Sequence, residues 1–186
     1  MLADSHCHLD FDAFDAELDQ VVERARRAGV GPLVTICTRL TQFERVRKIA
    51  ERFEDVWCSV GIHPHEAMSE PEIEAVRLVE LARHAKVVGI GETGLDYYYE
   101  HSPRERQKDV FRRHIEAARM SSLPLIVHSR DADADTIELL EDGVARGGLA
   151  GVIHCFSSTA FLAERALALE PPYLLSASPQ LLTTCT

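Results

Sequence analysis

The feature that most constrains the fold of this chain is a regular alternation between short apolar runs and segments of helical period. Continuous apolar runs are typical of strands buried on both faces of a parallel sheet. The first run leads into His6 and His8, and the others cover residues 33–37, 56–60, 87–90, 125–127, 151–153 and 173–176. Strand followed by helix, repeated along the chain, predicts an α/β domain with helices outside the sheet.

Helical periodicity is clearest between the first two runs. Leu18, Val21, Val22 and Ala25 recur at the spacing of one helix face, and Gly29 follows as a C-cap. Further helices are predicted from residue 41, over about 71–84, from residue 103, around 136–140 and around 161–169.

Two of these helices are predicted to begin at capping boxes. Thr41 is followed three residues later by Glu44, and Ser102 is followed by Glu105 with Pro103 between them. In a capping box the hydroxyl and the carboxylate satisfy backbone N–H groups at the helix start. Proline suits the first helical position. We therefore expect helices to start directly after Thr41 and Ser102.

Two architectures fit this order of elements, the doubly wound sheet and the (β/α)8 barrel. The candidate ligands follow the first, fourth, fifth and sixth runs, and only a closed barrel brings all of those strand ends around one centre. The sequence therefore predicts an α/β fold of the TIM-type (β/α)8 barrel class, incomplete, with about six βα units and a seventh strand. Residues 1–186 show no domain boundary or repeat, so a single barrel domain is expected.

The formal net charge of -10 argues against a broad basic surface that grips duplex DNA through many phosphates. Phosphate substrates stay compatible with this charge, because bound divalent cations supply positive charge locally. No apolar run approaches the roughly 20 residues of a transmembrane helix. The N-terminus lacks the regions of a signal peptide. We expect no membrane contact and a cytoplasmic location.

The cysteines are spaced without any C-x-x-C pair, which gives no indication of a zinc finger or a disulfide. Several lie inside predicted strands, so they are interpreted as buried, reduced thiols. They are Cys7, Cys37, Cys58, Cys155 and Cys185.

Five side chains at predicted strand ends form a candidate metal site. His6 and His8 are two apart on one strand, so both imidazoles face the same ion. Glu92, His128 and His154 each follow a later apolar run. Imidazole suits Zn or Fe better than Mg, and two bridged cations would activate water at neutral pH. Taken singly, each histidine is compatible with a structural role, so the prediction depends on their joint occurrence.

Four further residues are candidates for substrate contact or for support of the ligands. His63 and His65 follow the third strand and would face the same mouth of the barrel, although a structural role in the loop is equally compatible. Asp4 and Asp96 are candidates for orienting the ligating histidines or for holding the loops.

Arg130 directly follows the fifth strand, two residues after His128. Its guanidinium is suited to bind phosphate oxygens in a fork geometry that lysine does not match. The alternative is an ion pair with Asp131 or Asp133.

The sequence resembles the TatD family of metal-dependent deoxyribonucleases, within the larger amidohydrolase-like group of barrels. The matching motifs are DSHCHLD at 4–10, GIHPH at 61–65, GETGLDY at 91–97, PLIVHSR at 124–130 and GVIHCFS at 151–157. Five motifs in the right order make the resemblance specific, and it extends to about residue 169.

The resemblance implies two divalent metal ions, Mg²⁺, Mn²⁺ or Zn²⁺. His6 and His8 would hold one ion, His128 and His154 the other, and Glu92 would lie between them as the catalytic carboxylate. It also implies hydrolysis of DNA from single-stranded or 3′ ends, in the 3′ to 5′ direction. A barrel hydrolase of a small amide, lactone or phosphoester is the alternative, because the same metal layout serves those reactions.

The chain departs from the family pattern at its C-terminus. Family members continue to an aspartate at the end of an eighth strand, and a complete barrel takes about 250 residues. Residues 179–186 do not follow the family pattern, which leads to the hypothesis of a truncation or a frameshift after Glu170. An unclosed barrel would expose strand edges and favour self-association. An inactive, metal-binding remnant is therefore a third interpretation.

Overall fold

The computed structural model describes residues 2–177, and within this range seven parallel strands form one sheet. The spatial order of the strands follows the sequence order, and every neighbouring pair is parallel. The strands are β1 (Leu2–Cys7), β2 (Val30–Thr35), β3 (Val56–Val60), β4 (Val87–Asp96), β5 (Leu125–Arg130), β6 (Gly151–Phe156) and β7 (Leu174–Ala177). The sheet curls into part of a barrel, which confirms the predicted incomplete (β/α)8 fold.

Helices connect the strands and pack on the outer face of the sheet. They are α1 (Leu18–Arg27), α2 (Phe43–Arg52), α3 (Ala75–Ala82), α4 (Arg104–Ser121), α5 (Asp133–Ala145) and α6 (Ala160–Leu167). Short 3-10 turns cover Asp12–Phe14, Leu40–Gln42 and Pro64–Glu66. Within residues 2–177, no helix combines the length and apolar character needed to cross a bilayer. The tail segment 179–186 and Cys185 lie outside the described residues.

Three strands run farther toward their C-terminal ends than the apolar runs predicted. β4 continues to Asp96, β5 to Arg130 and β6 to Phe156. The ladder between β4 and β5 is still intact at its end, where Asp96 pairs with Arg130. The apolar runs mark only the first part of each strand because the last residues face a polar cavity. Glu92, His128 and His154 therefore lie on strands instead of loops.

Both predicted capping boxes are wrong, because each hydroxyl makes a tertiary contact instead. Thr41 Oγ1 donates to Glu70 Oε1 at 2.6 Å, and α2 begins only at Phe43, after a 3-10 turn. Ser102 Oγ donates to the His65 carbonyl at 2.9 Å and accepts from the Met68 N–H at 3.0 Å. Two predicted ranges also differ, since α3 covers Ala75–Ala82 and β2 covers Val30–Thr35.

A close approach of two glycines sets the position of Glu92. A Cβ atom on Gly61, just after β3, would lie 2.5 Å from Gly91 Cα. Gly91 has a φ of 135°, a conformation that favours glycine. The next residue, Glu92, donates its backbone N–H to the Cys37 carbonyl at 3.1 Å. The backbone of β4 is thereby held against β2 and β3 at the level of the candidate site.

His114 supports the loop after β3 from outside the sheet. This α4 residue is fully buried; its Nε2 accepts from the Ile62 N–H at 3.0 Å and its Nδ1 donates to the Val110 carbonyl at 2.8 Å. Burial lowers the pKa of His114 to about 4. His114, to which sequence reasoning assigned no functional role, thus supports the segment that carries His63.

The low pKa of His114 predicts acid sensitivity with a definite sign. Below pH 6.5 the unfolded chain takes up a proton at His114, whereas the folded chain does so only near pH 4. The neutral ring therefore contributes full stability at pH 7, and about 2 kcal/mol of it is lost at pH 5. The check is urea unfolding in EDTA at both pH values for the wild type and His114→Gln, which keeps an acceptor for Ile62. We expect the wild type to lose more stability than the variant, and equal losses would contradict this account.

Candidate metal centre

A cavity of about 660 Å³ opens at the C-terminal ends of the strands. The structure brings together most of the residues singled out from sequence, and they reach the cavity from β1, β4, β5, β6 and the segment after β3. The cavity-lining residues among them are His6, His8, His63, His65, Glu92, His128, Arg130 and His154. This arrangement follows from the fold, since parallel strands of a barrel end at a common face.

The Glu92 carboxylate lies at the centre of this cavity and is almost fully buried. Its Oε1 lies 2.6 Å from His154 Nε2, 3.2 Å from His128 Nδ1 and 3.6 Å from His63 Nε2. Its Oε2 lies 3.2 Å from His6 Nε2. Burial alone would raise the pKa of Glu92, but hydrogen bonds from His128, His154 and His6 hold it well below the usual range. Glu92 is therefore an anion at neutral pH, faced by four imidazoles.

Two groups of side chains present metal-ligating atoms within 4.8 Å of one another. One group is His6, His8 and Glu92, and the other is His63, Glu92 and His128. His154 stacks on His6 with ring centroids 3.7 Å apart and contacts the same carboxylate. The family resemblance implies that His154 lies beside His128, whereas the second of these groups contains His63 in place of His154.

The hydrogen bonding of His63 indicates whether its ring is suited to bind a metal ion. Its Nδ1 accepts from the His65 N–H at 3.1 Å, so the neutral ring carries its proton on Nε2, the nitrogen that faces Glu92. Burial lowers the pKa of His63 to about 3, which keeps the ring neutral. In this tautomer His63 offers an N–H and not a lone pair, which suits a donor to an oxygen better than a metal ligand.

The ring nitrogens of His6 and His8 indicate that a cation fits between these rings and Glu92. Nδ1 of His6 and Nδ1 of His8 are buried without a hydrogen-bond partner among residues 2–177. Burial and the neighbouring His6 lower the pKa of His8, so its ring is a neutral donor. Buried polar atoms are normally satisfied. Unpaired imidazole nitrogens beside a buried carboxylate are the donor set of a divalent cation.

Asp96 orients two histidines from below the cavity. Its Oδ2 lies 2.8 Å from His65 Nε2 and 3.1 Å from His128 Nε2, while its Oδ1 accepts the N–H groups of Tyr98 and Tyr99 at 3.1 Å and 2.8 Å. Burial would lower the pKa of His128, but Asp96 and Glu92 on either side raise it to about 9. A carboxylate on the far nitrogen fixes a ring for binding through its other nitrogen.

Two aspartates near β1 have different positions. Asp4 does not line the cavity, and its Oδ1 accepts from the His6 N–H at 3.0 Å, so it holds the strand backbone. Asp10 does line the cavity, is 8% exposed, and has no hydrogen-bond partner at Oδ1 within the described range. Sequence reasoning gave Asp10 no role, although it closes the first of the five motifs.

Within residues 2–177, Arg130 is the cavity-lining arginine that forms no ion pair. Arg39 pairs with Glu66 at 2.7 Å, and Arg45 pairs with Asp15 at 2.6 Å. Among residues 2–177 no carboxylate pairs with Arg130, so the alternative of an ion pair with Asp131 or Asp133 is not observed. Its guanidinium instead lies over aromatic rings.

Comparisons with known proteins identify the family of this chain. The family described as TatD related DNase matches residues 3–184. An uncharacterized metal-dependent hydrolase of Bacillus subtilis, YabD, is 35% identical over 90% of this chain and 65% of its own length. The 3'-5' ssDNA/RNA exonuclease TatD of Cronobacter sakazakii is 36% identical over 83% of this chain and 59% of its own length.

A crystal structure of YjjV, a TatD homolog from Escherichia coli, superposes with a TM-score of 0.83 at 30% identity. The match covers 94% of this chain and 66% of that one. The chain thus spans about 59 to 65% of the length of these curated relatives. With the family matched along nearly the whole sequence and the barrel shared in three dimensions, the chain belongs to the TatD-related DNase family.

Proposed function

We propose that this chain is a divalent-metal-dependent hydrolase that cleaves phosphodiester bonds in nucleic acid, removing nucleotides from the 3′ end of single-stranded DNA. The observation that carries the proposal is the buried Glu92 carboxylate, which faces imidazoles from β1, β5, β6 and the segment after β3. The name of the Cronobacter relative, a 3'-5' ssDNA/RNA exonuclease, supports the choice of substrate.

In this proposal Glu92 and the histidines around it would hold two divalent ions. His6 and His8 would bind one ion, and His128 and His154 would bind the other. Such ions lower the pKa of a coordinated water and offset the negative charge of the phosphate. Because the donors are mostly imidazoles, we expect Mn²⁺ or Zn²⁺ to bind more tightly than Mg²⁺.

The remaining residues of the cavity bind and orient the substrate. Arg130 lines the cavity and forms no ion pair within residues 2–177. Its guanidinium binds two phosphate oxygens. The Nε2–H group of His63 donates a hydrogen bond to a phosphate oxygen. Asp96 Oδ2 lies 2.8 Å from His65 Nε2 and holds that ring in place. Glu92 stays ionised because its pKa is far below neutrality, so it acts as a fixed negative charge between the ligands.

The distribution of charge favours a small contact with one strand. The net charge is -10, and two of the three arginines that line the cavity are neutralised by carboxylates. Wide contact with duplex phosphates requires many free cations. The third arginine, Arg130, has no carboxylate partner in the described part of the chain. Beside bound divalent ions it would suit the terminal phosphate of a single strand.

Metal binding tests the ligand assignment without any need for activity. We expect Glu92→Gln to weaken Mn²⁺ binding at least about tenfold, because the shared anionic ligand is lost. The measurement is isothermal titration calorimetry of the metal-free protein, with circular dichroism to confirm the fold. His84→Gln is the matched control, since His84 pairs with Glu51 away from the cavity. Unchanged Mn²⁺ affinity in Glu92→Gln would refute the assignment.

Hydrolysis of a 5′-labelled 20-nucleotide single strand tests the activity itself. With Mn²⁺ we expect a ladder of products shortened from the 3′ end, abolished by EDTA and in Glu92→Gln. A phosphorothioate linkage at the 3′ terminus should delay the first cleavage. A folded wild-type chain that binds Mn²⁺ but leaves the strand intact, or that cuts in mid-strand first, would overturn the proposed function.

Substitution of Arg130 tests its contact with phosphate. We expect Arg130→Ala to lower kcat/KM on the same strand by about 10- to 100-fold, as for loss of charge-assisted hydrogen bonds. Arg130→Lys should recover only part of this loss, because lysine lacks the fork. Arg165→Ala is the control, since Arg165 pairs with Glu141 on the outer surface. Equal activity of the wild type and Arg130→Ala would exclude the contact.

A further inference from the structure

Two exposed tyrosines lie side by side next to Arg130 and His65, two residues that line the cavity. Tyr98 and Tyr99 directly follow β4 and are 58% and 50% exposed. Their rings are nearly perpendicular, with centroids 4.7 Å apart. Exposed aromatic side chains placed together are a typical feature of binding surfaces.

Arg130 connects these tyrosines to the cavity. Its Cζ lies 4.4 Å from the centre of the Tyr98 ring and 5.0 Å from that of Tyr99, and the same side chain lines the cavity. We call Tyr98, Tyr99 and Arg130 the aromatic shelf. Arg130 lies against both rings, whose faces point in two nearly perpendicular directions, so the shelf presents aromatic faces next to a cation.

The aromatic shelf is held in register with the candidate metal ligands by Asp96. One carboxylate oxygen of Asp96 accepts both tyrosine N–H groups, at 3.1 Å and 2.8 Å, while the other contacts His128 Nε2 at 3.1 Å. The backbone under both rings and the His128 imidazole thus share one rigid support. A group stacked on the shelf would therefore lie close to the candidate ligand His128.

The neighbouring Tyr97 shows what a structural tyrosine looks like in the same segment. Its hydroxyl donates to Asp135 at 2.6 Å, and its ring lies under Arg104. In the described part of the chain, the hydroxyls of Tyr98 and Tyr99 make no such bond, and neither ring is buried. Two of three consecutive tyrosines thus contribute little to the core.

We propose that the aromatic shelf stacks an unpaired base of single-stranded nucleic acid whose adjoining phosphate lies at the metal ligands. The proposal rests on the proposed function and adds the base as a recognised part of the substrate. Every base offers a π face, so stacking on tyrosine and arginine tolerates any sequence. The shelf selects unpaired bases, because a base inside a duplex has no free face.

The test compares binding of oligomers with and without bases. The probes are fluorescein-labelled, phosphorothioate-linked ten-nucleotide strands of oligo(dT), oligo(U) and an abasic deoxyribose chain, read by anisotropy in Mn²⁺. We expect the wild type to bind oligo(dT) at least about tenfold more tightly than the abasic chain. Tyr98→Ala and Tyr99→Ala should each weaken oligo(dT) binding about fivefold or more. Both variants should leave abasic binding unchanged.

Matched variants separate stacking from support of Arg130. Tyr98→Phe and Tyr99→Phe keep the ring and should bind oligo(dT) like the wild type. Phe161→Ala removes an exposed aromatic of α6 that lies under Arg165 and does not line the cavity, and should leave oligo(dT) binding unchanged. Comparison of oligo(dT) with oligo(U) shows whether the stacked nucleotide is DNA, RNA or either.

Two results would overturn the proposal. One is equal binding of oligo(dT) and the abasic chain by the wild type. The other is an equal loss on both probes in the tyrosine variants, which would mean that the rings only hold Arg130. Failure of the proposed function is distinguishable, because it appears as absent Mn²⁺-dependent shortening of DNA while base-dependent binding persists.

Discussion

The buried carboxylate of Glu92 is the constraint on which the rest of this structure depends. An ionised group taken out of water costs several kcal/mol unless partners compensate it. Here imidazoles of His6, His63, His128 and His154 supply the compensation, and they come from strands far apart in sequence. Their convergence requires parallel strands that end at one level around a curved sheet. The fold and the candidate site therefore depend on the same arrangement of strands.

Asp96 extends this arrangement from the centre of the cavity to its rim. It is buried like Glu92, but its oxygens face different directions, one toward His65 and His128 and the other toward backbone N–H groups after β4. Hydrogen bonds from His128 and from Tyr99 N–H hold the pKa of Asp96 below its usual range, against the effect of burial. The conformation of the rim is therefore coupled to the orientation of a candidate ligand.

Much of the fold was predictable because apolar runs and helical periods report burial directly. The runs located all seven strands, and the strand ends located His6, Glu92, His128 and His154. Sequence did not reveal that the Thr41 and Ser102 hydroxyls bond to distant groups, because a capping box looks the same whether or not a tertiary acceptor competes.

Finer features of the site depend on side-chain torsions and hydrogen bonds that a sequence does not encode locally. The tautomer of His63 follows from one backbone N–H two residues later. The burial of Asp10 follows from how neighbouring segments pack. So does the position of Arg130, which lies over Tyr98 and forms no ion pair within residues 2–177. His114 looked like any histidine of a helix, and only its contact with Ile62 gives it a role.

The position of β1 has a consequence for cooperativity. Within residues 2–177 this strand pairs with β2 on one side only, and most of its side chains are exposed or half-buried. Yet β1 and the residue just after it carry His6 and His8, whose partner Glu92 lies on the interior strand β4. A cation shared by these three side chains would act as a cross-link between an edge strand and the centre of the sheet. Fraying of β1 and release of that ion would then be one linked equilibrium, so the metal would contribute to folding as well as to chemistry.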